Sequence, residues 1–143
     1  MTIEKSTSEL FSEIKNSNEL NSFLAKNATD LQHPTIANYL ESLLKEKNMD
    51  KSTLIEKSGF DRVYIYQILS GKKTAPSRKK LIGLALTLKL TLDETQHLLK
   101  YGQENILYPR DREDCILIYA INEHKSVDET NSLLYDLDFD CIT

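Results

Sequence analysis

The stretch from Met49 to Gly71, MDKSTLIEKSGFDRVYIYQILSG, constrains this chain more than any other. Residues 51–57 read as one short helix. Ser58-Gly59-Phe60 reads as a tight turn, with Gly59 free to take a positive φ. Asp61 is placed to cap a second helix that runs to about residue 69. Leu54, Ile65 and Ile68 fall where the two helices face each other. Arg62, Val63, Tyr66 and Gln67 are left on one outward face, at i, i+1, i+4 and i+5.

Charge says what such a face meets. The net charge of −4 disfavours a polyanionic partner, but the charge is segregated. Residues 51–90 hold nine Lys/Arg against two Asp/Glu. Residues 1–50 hold five against eight, and residues 91–143 four against twelve. Local charge sets attraction to phosphates, and the two-helix stretch lies inside the one basic block. A guanidinium, an apolar contact, an aromatic and an amide on one helix face are what reading base edges in a major groove requires. The expectation is sequence-specific binding of double-stranded DNA.

The remaining bulk properties narrow the class. At 143 residues the chain is one domain, or one small domain with helical additions. Four Gly and three Pro leave few tight turns and favour helices. No apolar run approaches the roughly 18 residues of a membrane span. The opening Met-Thr-Ile-Glu-Lys-Ser lacks an apolar core, so no export signal and a cytoplasmic location are expected. Cys115 and Cys141 fall in different predicted helices and read as reduced thiols. His33, His97 and His124 form no metal-ligand spacing with them, so neither a metal nor another cofactor is expected.

Taken in order, Ser6-Thr-Ser-Glu9 and Asn16-Ser-Asn-Glu19 have the capping-box pattern ahead of Leu10, Phe11, Ile14 and Leu20, Phe23, Leu24. They predict two short amphipathic helices, a flap on the core or a contact for a second subunit. Residues 27–33 read as a linker. Pro34 is placed to start a helix carrying Ile36, Tyr39, Leu40, Leu43 and Leu44, closed by Lys47-Asn48-Met49. Gly71 ends the recognition helix. Ser77 caps a strongly apolar helix from Arg78 to about Leu88. Thr91-Leu-Asp-Glu94 opens another helix, through Tyr101. Pro109 is expected to open a helix to about Asn122, and Ser126-Val-Asp-Glu129 to cap the last one. TLDETQHLLKY at 91–101 is echoed by SVDETNSLLYD at 126–136, 35 residues later, which reads as a repeated helical hairpin stacked on the first. The domain boundaries expected are 1–33, an N-terminal helical extension; 34–102, the DNA-binding domain; and 103–143, a C-terminal hairpin for dimerisation or partner binding.

Five helices over 34–101, with the second and third forming the motif, resemble the Cro/CI-repressor-like (Xre-type, λ-repressor-like) helix-turn-helix family. The resemblance is carried by Leu54, Gly59, Ile65, Ile68, the Ser70-Gly71-Lys72-Lys73 exit and Pro76, over about half the chain. The run Asp61-Arg-Val-Tyr-Ile-Tyr-Gln-Ile, with Gly71 and Ser77-Arg78, is similar to a bacterial subgroup with a C-terminal helical extension. It implies an all-α fold: a λ-repressor-like five-helix domain with added N- and C-terminal helices. It also implies a bacterial or phage-type transcription regulator, a repressor by default, working as a homodimer. Two positions depart from the family. Ile55 stands where a small residue is usual and implies a wider helix crossing or a repacked neighbour. Ser58 stands where a branched apolar residue is common, with Phe60 placed to fill that space.

Contacts sort into two groups. Base-edge candidates are Arg62, Val63, Tyr66 and Gln67, at the positions that read bases in the family. Phosphate candidates are Lys51 and Ser52 at a helix N-terminus, and Lys72, Lys73 and Arg78 flanking the recognition helix. Tyr64 leans on the core or on a phosphate. A face with Tyr66 and Arg62 also suits a protein partner. The alternative function is a helical interaction module, antitoxin-like or adaptor, working through its acidic C-terminal surface. Catalysis finds no support: there is no Gly-rich phosphate loop, HExxH or CxxC. Asp111, Glu113, Asp114, Asp128 and Glu129 sit at predicted helix starts, where they offset the dipole. Asp136-x-Asp138-x-Asp140 lacks the glycine and distal glutamate of a calcium loop and reads as a solvated tail.

Overall fold

The structure is a computed structural model that describes residues 5–28 and 34–143. Among the described residues there are nine α-helices and no strands: α1 (Thr7–Asn16), α2 (Leu20–Lys26), α3 (Ile36–Glu46), α4 (Lys51–Ser58), α5 (Arg62–Leu69), α6 (Arg78–Thr87), α7 (Leu92–Tyr101), α8 (Arg112–Asn122) and α9 (Val127–Asp136). The fold is all-α, a five-helix domain (α3–α7) with helices added at both ends. The chain divides into two compact units, residues 1–33 and 34–143. The linker expected at 27–33 is described only at Asn27 and Ala28; the rest of it and His33 lie outside the described residues.

The first unit is small and polar inside. Ser6 caps α1 by accepting from the Glu9 N–H. The second expected capping box is absent, because α2 starts later, with Glu19 as its cap and no side-chain bond. Among its described residues, Phe23 and Asn27 are buried. The Asn27 amide donates to Glu13 (2.9 Å) and to the Phe23 carbonyl (3.0 Å), and accepts from Lys5. Lys5 also pairs with Glu13 at 2.5 Å. Phe11, Ile14, Leu20 and Leu24 are exposed.

The second unit is organised around α6. Every residue from Leu81 to Leu88 is buried, and α6 contacts α4, α7, α8 and α9. A helix apolar all round belongs at the centre of a core. Leu40, Leu43, Leu54, Ile65, Ile68, Leu98, Leu99, Leu117 and Leu134 join it in one continuous cluster. Each such side chain contributes about 1.5–3 kcal/mol on burial. Helix starts follow side-chain chemistry more closely than proline. α3 begins at Ile36 because Thr35 caps it, accepting from the Asn38 N–H, so Pro34 lies outside the helix. α8 begins at Arg112, three residues after Pro109, with Asp111 at the N-cap position but making no side-chain capping bond. Asn48, at φ 53, ends α3 in the left-handed conformation.

The 35-residue echo is a structural repeat. Thr91/Glu94 and Ser126/Glu129 both close reciprocal capping boxes. The Thr95 and Thr130 hydroxyls both donate back to the cap carbonyls, Thr91 at 2.9 Å and Ser126 at 2.8 Å. Left-handed residues recur at Lys89 and His124, and at Gln103 and Asp138. After each hairpin the chain folds back: the Leu107 N–H donates to Gln96 Oε1 (2.8 Å), and the Ile142 N–H donates to Asn131 Oδ1 (2.7 Å). Cys141 therefore lies in this returning segment and not in a helix, and both cysteines are free thiols.

The hairpins are not simply stacked in series. Arg78 at the start of α6 grips Asp114 at the start of α8, and Lys89 Nζ beyond α6 donates to the His124 carbonyl beyond α8 (2.7 Å). The two helices therefore run side by side in the same direction. α6 also touches α9 while α7 touches α8, the reciprocal contacts of an approximate two-fold pair.

Candidate nucleic-acid interface

The α4–turn–α5 geometry follows from four local devices. Asp50 caps α4, accepting from the Thr53 N–H at 2.7 Å. Gly59 closes α4 at φ 73, where a side chain would be strained. Ser58 is buried, and its hydroxyl donates to the Ile55 carbonyl and accepts from the Phe60 N–H, both at 3.2 Å. Asp61 caps α5, accepting from the Tyr64 N–H at 3.1 Å.

These devices explain the two unusual positions. Ser58 occupies an apolar site without an orphan polar group, because its hydroxyl closes the turn locally. Phe60 takes the apolar role. It is buried, and its ring lies against the backbone of Gly83, where a Cβ would come within 2.3 Å of it. Ile55 is half-buried at the rim of the core.

α5 buries Ile65, Ile68 and Leu69 and turns its other side to solvent. Arg62, Val63 and Tyr66 are exposed and Gln67 is half-buried, so the four share one accessible face. The Arg62 guanidinium lies 5.6 Å from the Tyr66 ring centroid. This stacking limits where the guanidinium points and leaves its edge free to donate.

The cations around α5 divide differently from the sequence expectation. Lys72 and Lys73 are exposed in the loop after α5. A backbone bond from Lys73 N–H to the Gln67 carbonyl (2.9 Å) folds that loop against the helix. The Lys73 ammonium lies 4.8 Å over the Tyr64 ring. Burial pushes the Tyr64 phenol up, with the Ser77 backbone N–H working against it. Lys80 lies 4.2 Å from the Phe60 centroid and 5.5 Å from that of Tyr64. It is a cation beside α5 that the sequence reading missed; the signal was the Arg78-Lys79-Lys80 run at a helix start.

Arg78 is engaged inside the protein. Its guanidinium donates to both carboxylate oxygens of Asp114 at 2.9 Å and to the carbonyls of Asn105 (2.9 Å) and Ile106 (3.2 Å). This set of bonds makes it a pin between α6 and α8 and leaves little donor capacity for a phosphate. Lys51 is exposed and pairs with Glu41 at 3.4 Å, a surface contact that water competes with readily. Ser52 is exposed beside it, but Asp50 already occupies the Thr53 N–H at that helix start.

The helix-turn-helix family model matches residues 40–94, from within α3 to the first turn of α7. Residues 40–94 are a helix-turn-helix domain of the Cro/CI-repressor-like type. Comparison with curated proteins and with solved structures gives no match. The match supports a DNA-binding transcription regulator at the level of the family. No His, Cys, Asp and Glu cluster that could hold a metal occurs among the described residues. No helix among them is long and apolar enough to cross a membrane.

Proposed function

We propose that the chain is a sequence-specific double-stranded DNA-binding regulator, a repressor, that lays α5 in a major groove. The observation that carries this reading is the accessible face of α5. It presents Arg62, Val63, Tyr66 and Gln67 together, on a helix keyed to the core through Phe60 and set within the basic block. Arg62 is matched to guanine O6/N7, Gln67 to adenine and Val63 to a thymine methyl, with Tyr66 stacking beneath Arg62. Lys72, Lys73 and Lys80 meet phosphates on one side of the helix, and Lys51 and Ser52 on the other. One such helix reads few base pairs, so useful specificity comes from a homodimer on two half-sites about one DNA turn apart. The protein then represses by occluding a promoter.

Selection of bound sequences from a random duplex pool tests this directly, with a palindromic consensus as the expected result. Arg62→Ala and Gln67→Ala each weaken binding to the selected site by about 1–3 kcal/mol and relax preference at one base pair. Lys73→Ala weakens all sequences alike and reduces the salt slope by about one. The absence of duplex binding at low salt would overturn the proposal.

A further inference from the structure

The repeat singles out one face of α8. From Leu81 onward the whole circumference of α6 is buried, whereas α8 keeps one side open along its length. That side carries Arg112, Ile116, Tyr119 and Glu123, spaced four, three and four residues apart, so they form a single stripe along the helix. Ile116 is half-buried and the other three are exposed, Tyr119 at 52%. Neither Arg112 nor Glu123 has an ion-pair partner among the described residues. Both charges oppose the helix dipole: the cation stands at the N-terminus of α8 and the anion at its C-cap.

We propose that this stripe is the homodimer interface, with α8 packed antiparallel on α8 of a second copy. The spacing is self-complementary under a two-fold axis. When Arg112 faces Glu123 of the second copy, Ile116 faces Tyr119 of the second copy, and both contacts occur twice. The two ion pairs then stand about 16 Å apart along the helix, bracketing an apolar centre. Each misplaced charge is offset by the opposite charge and by the opposite helix end. A parallel arrangement would set Arg112 on Arg112 and Glu123 on Glu123, which excludes it. The seam of two eleven-residue helices falls short of the roughly 1,200 Å² of a stable interface, so the dimer is concentration-dependent and is consolidated on DNA. This names the surface for the homodimer proposed above, and its test requires no DNA.

Sedimentation equilibrium of the full chain, from low to high micromolar, is expected to show a monomer–dimer equilibrium. Tyr119→Glu is expected to weaken it by at least about tenfold, as are Arg112→Glu and Glu123→Arg separately. The double swap Arg112→Glu with Glu123→Arg is expected to restore the wild-type constant. Both reversals favour the dipole of α8, so helix fraying does not account for a loss, and circular dichroism checks this. A chain that stays monomeric throughout overturns the proposal, including the case in which a different protein occupies the stripe. Tyr119→Glu dimerising as well as wild type overturns it, as does a double swap no stronger than the single reversals. If Tyr119→Glu fails to fold, the charge swap alone decides. Dimerisation by this route with no duplex binding would leave the interface standing and remove the DNA reading.

Discussion

The hairpins α6–α7 and α8–α9 share the capping boxes of their second helices, their left-handed helix exits and their returning tails, 35 positions apart. Their surroundings differ. Lys80 and Gly83 of α6 touch Phe60, and α6 is covered on all sides from Leu81 onward. Their counterparts on α8, Cys115 and Ile118, are exposed and half-buried. A repeated backbone plan therefore supports two jobs: one hairpin seats the helix-turn-helix, and the other offers a free side. The two hairpins agree in what is local and differ in what is long-range.

The sharpest way to break the comparison is at the join. Asp114→Ala removes the partner of Arg78 and one acceptor for the Tyr108 N–H. Because Arg78 keeps only 27% of its side chain exposed, the cost is about 3 kcal/mol, read as a shift in the urea midpoint. Burial pushes the Asp114 carboxyl up, but the Arg78 guanidinium and the Tyr108 N–H outweigh it and hold it below the ordinary aspartate range. The pair therefore stabilises the fold above the ordinary value of about 4 and loses that contribution as pH falls through the lowered one. Urea titrations at successively lower pH check this, and Asp114→Asn should flatten the dependence.

A smaller effect separates equivalent positions. Gly83→Ala forces a Cβ into the buried Phe60 ring and is expected to cost about 1–2 kcal/mol after the helix-propensity gain. Ile118→Ala, at the same register in the second hairpin, trims a half-buried side chain and leaves the helix-turn-helix untouched. Only the first should also weaken duplex binding. The smallest effect tests sameness: Thr91→Ala and Ser126→Ala should each cost about 1 kcal/mol, equal within error. Unequal costs would show that the caps are not energetically equivalent.

What the sequence made legible follows the same division. Ser77, Thr91 and Ser126 cap where they were expected because the bonds that decide them span three residues. The outward face of α5 was readable from spacing once Leu54, Ile65 and Ile68 were assigned inward. Arg78 reads as a phosphate contact in the sequence because Asp114, 36 residues away, carries no sequence mark as its partner. Lys80 stands out in the sequence only through the Arg78-Lys79-Lys80 run, because the folded turn is what brings Phe60 and Tyr64 beside it. Pro34 and Pro109 mislead on helix starts because proline tolerates the first turn without fixing it; at α3 the Thr35 side chain sets the start instead, and α8 begins after Asp111 without a side-chain cap.

The seat of Phe60 on Gly83 bears on how such a protein changes its target over time. The side chains proposed to choose bases hold up no part of the core, and the residue that aims their helix lies on the opposite, buried side. Preference can drift by substitution at 62, 63, 66 and 67 with little loss of stability. A new reading head can likewise be grafted at those four positions without rebuilding the mount.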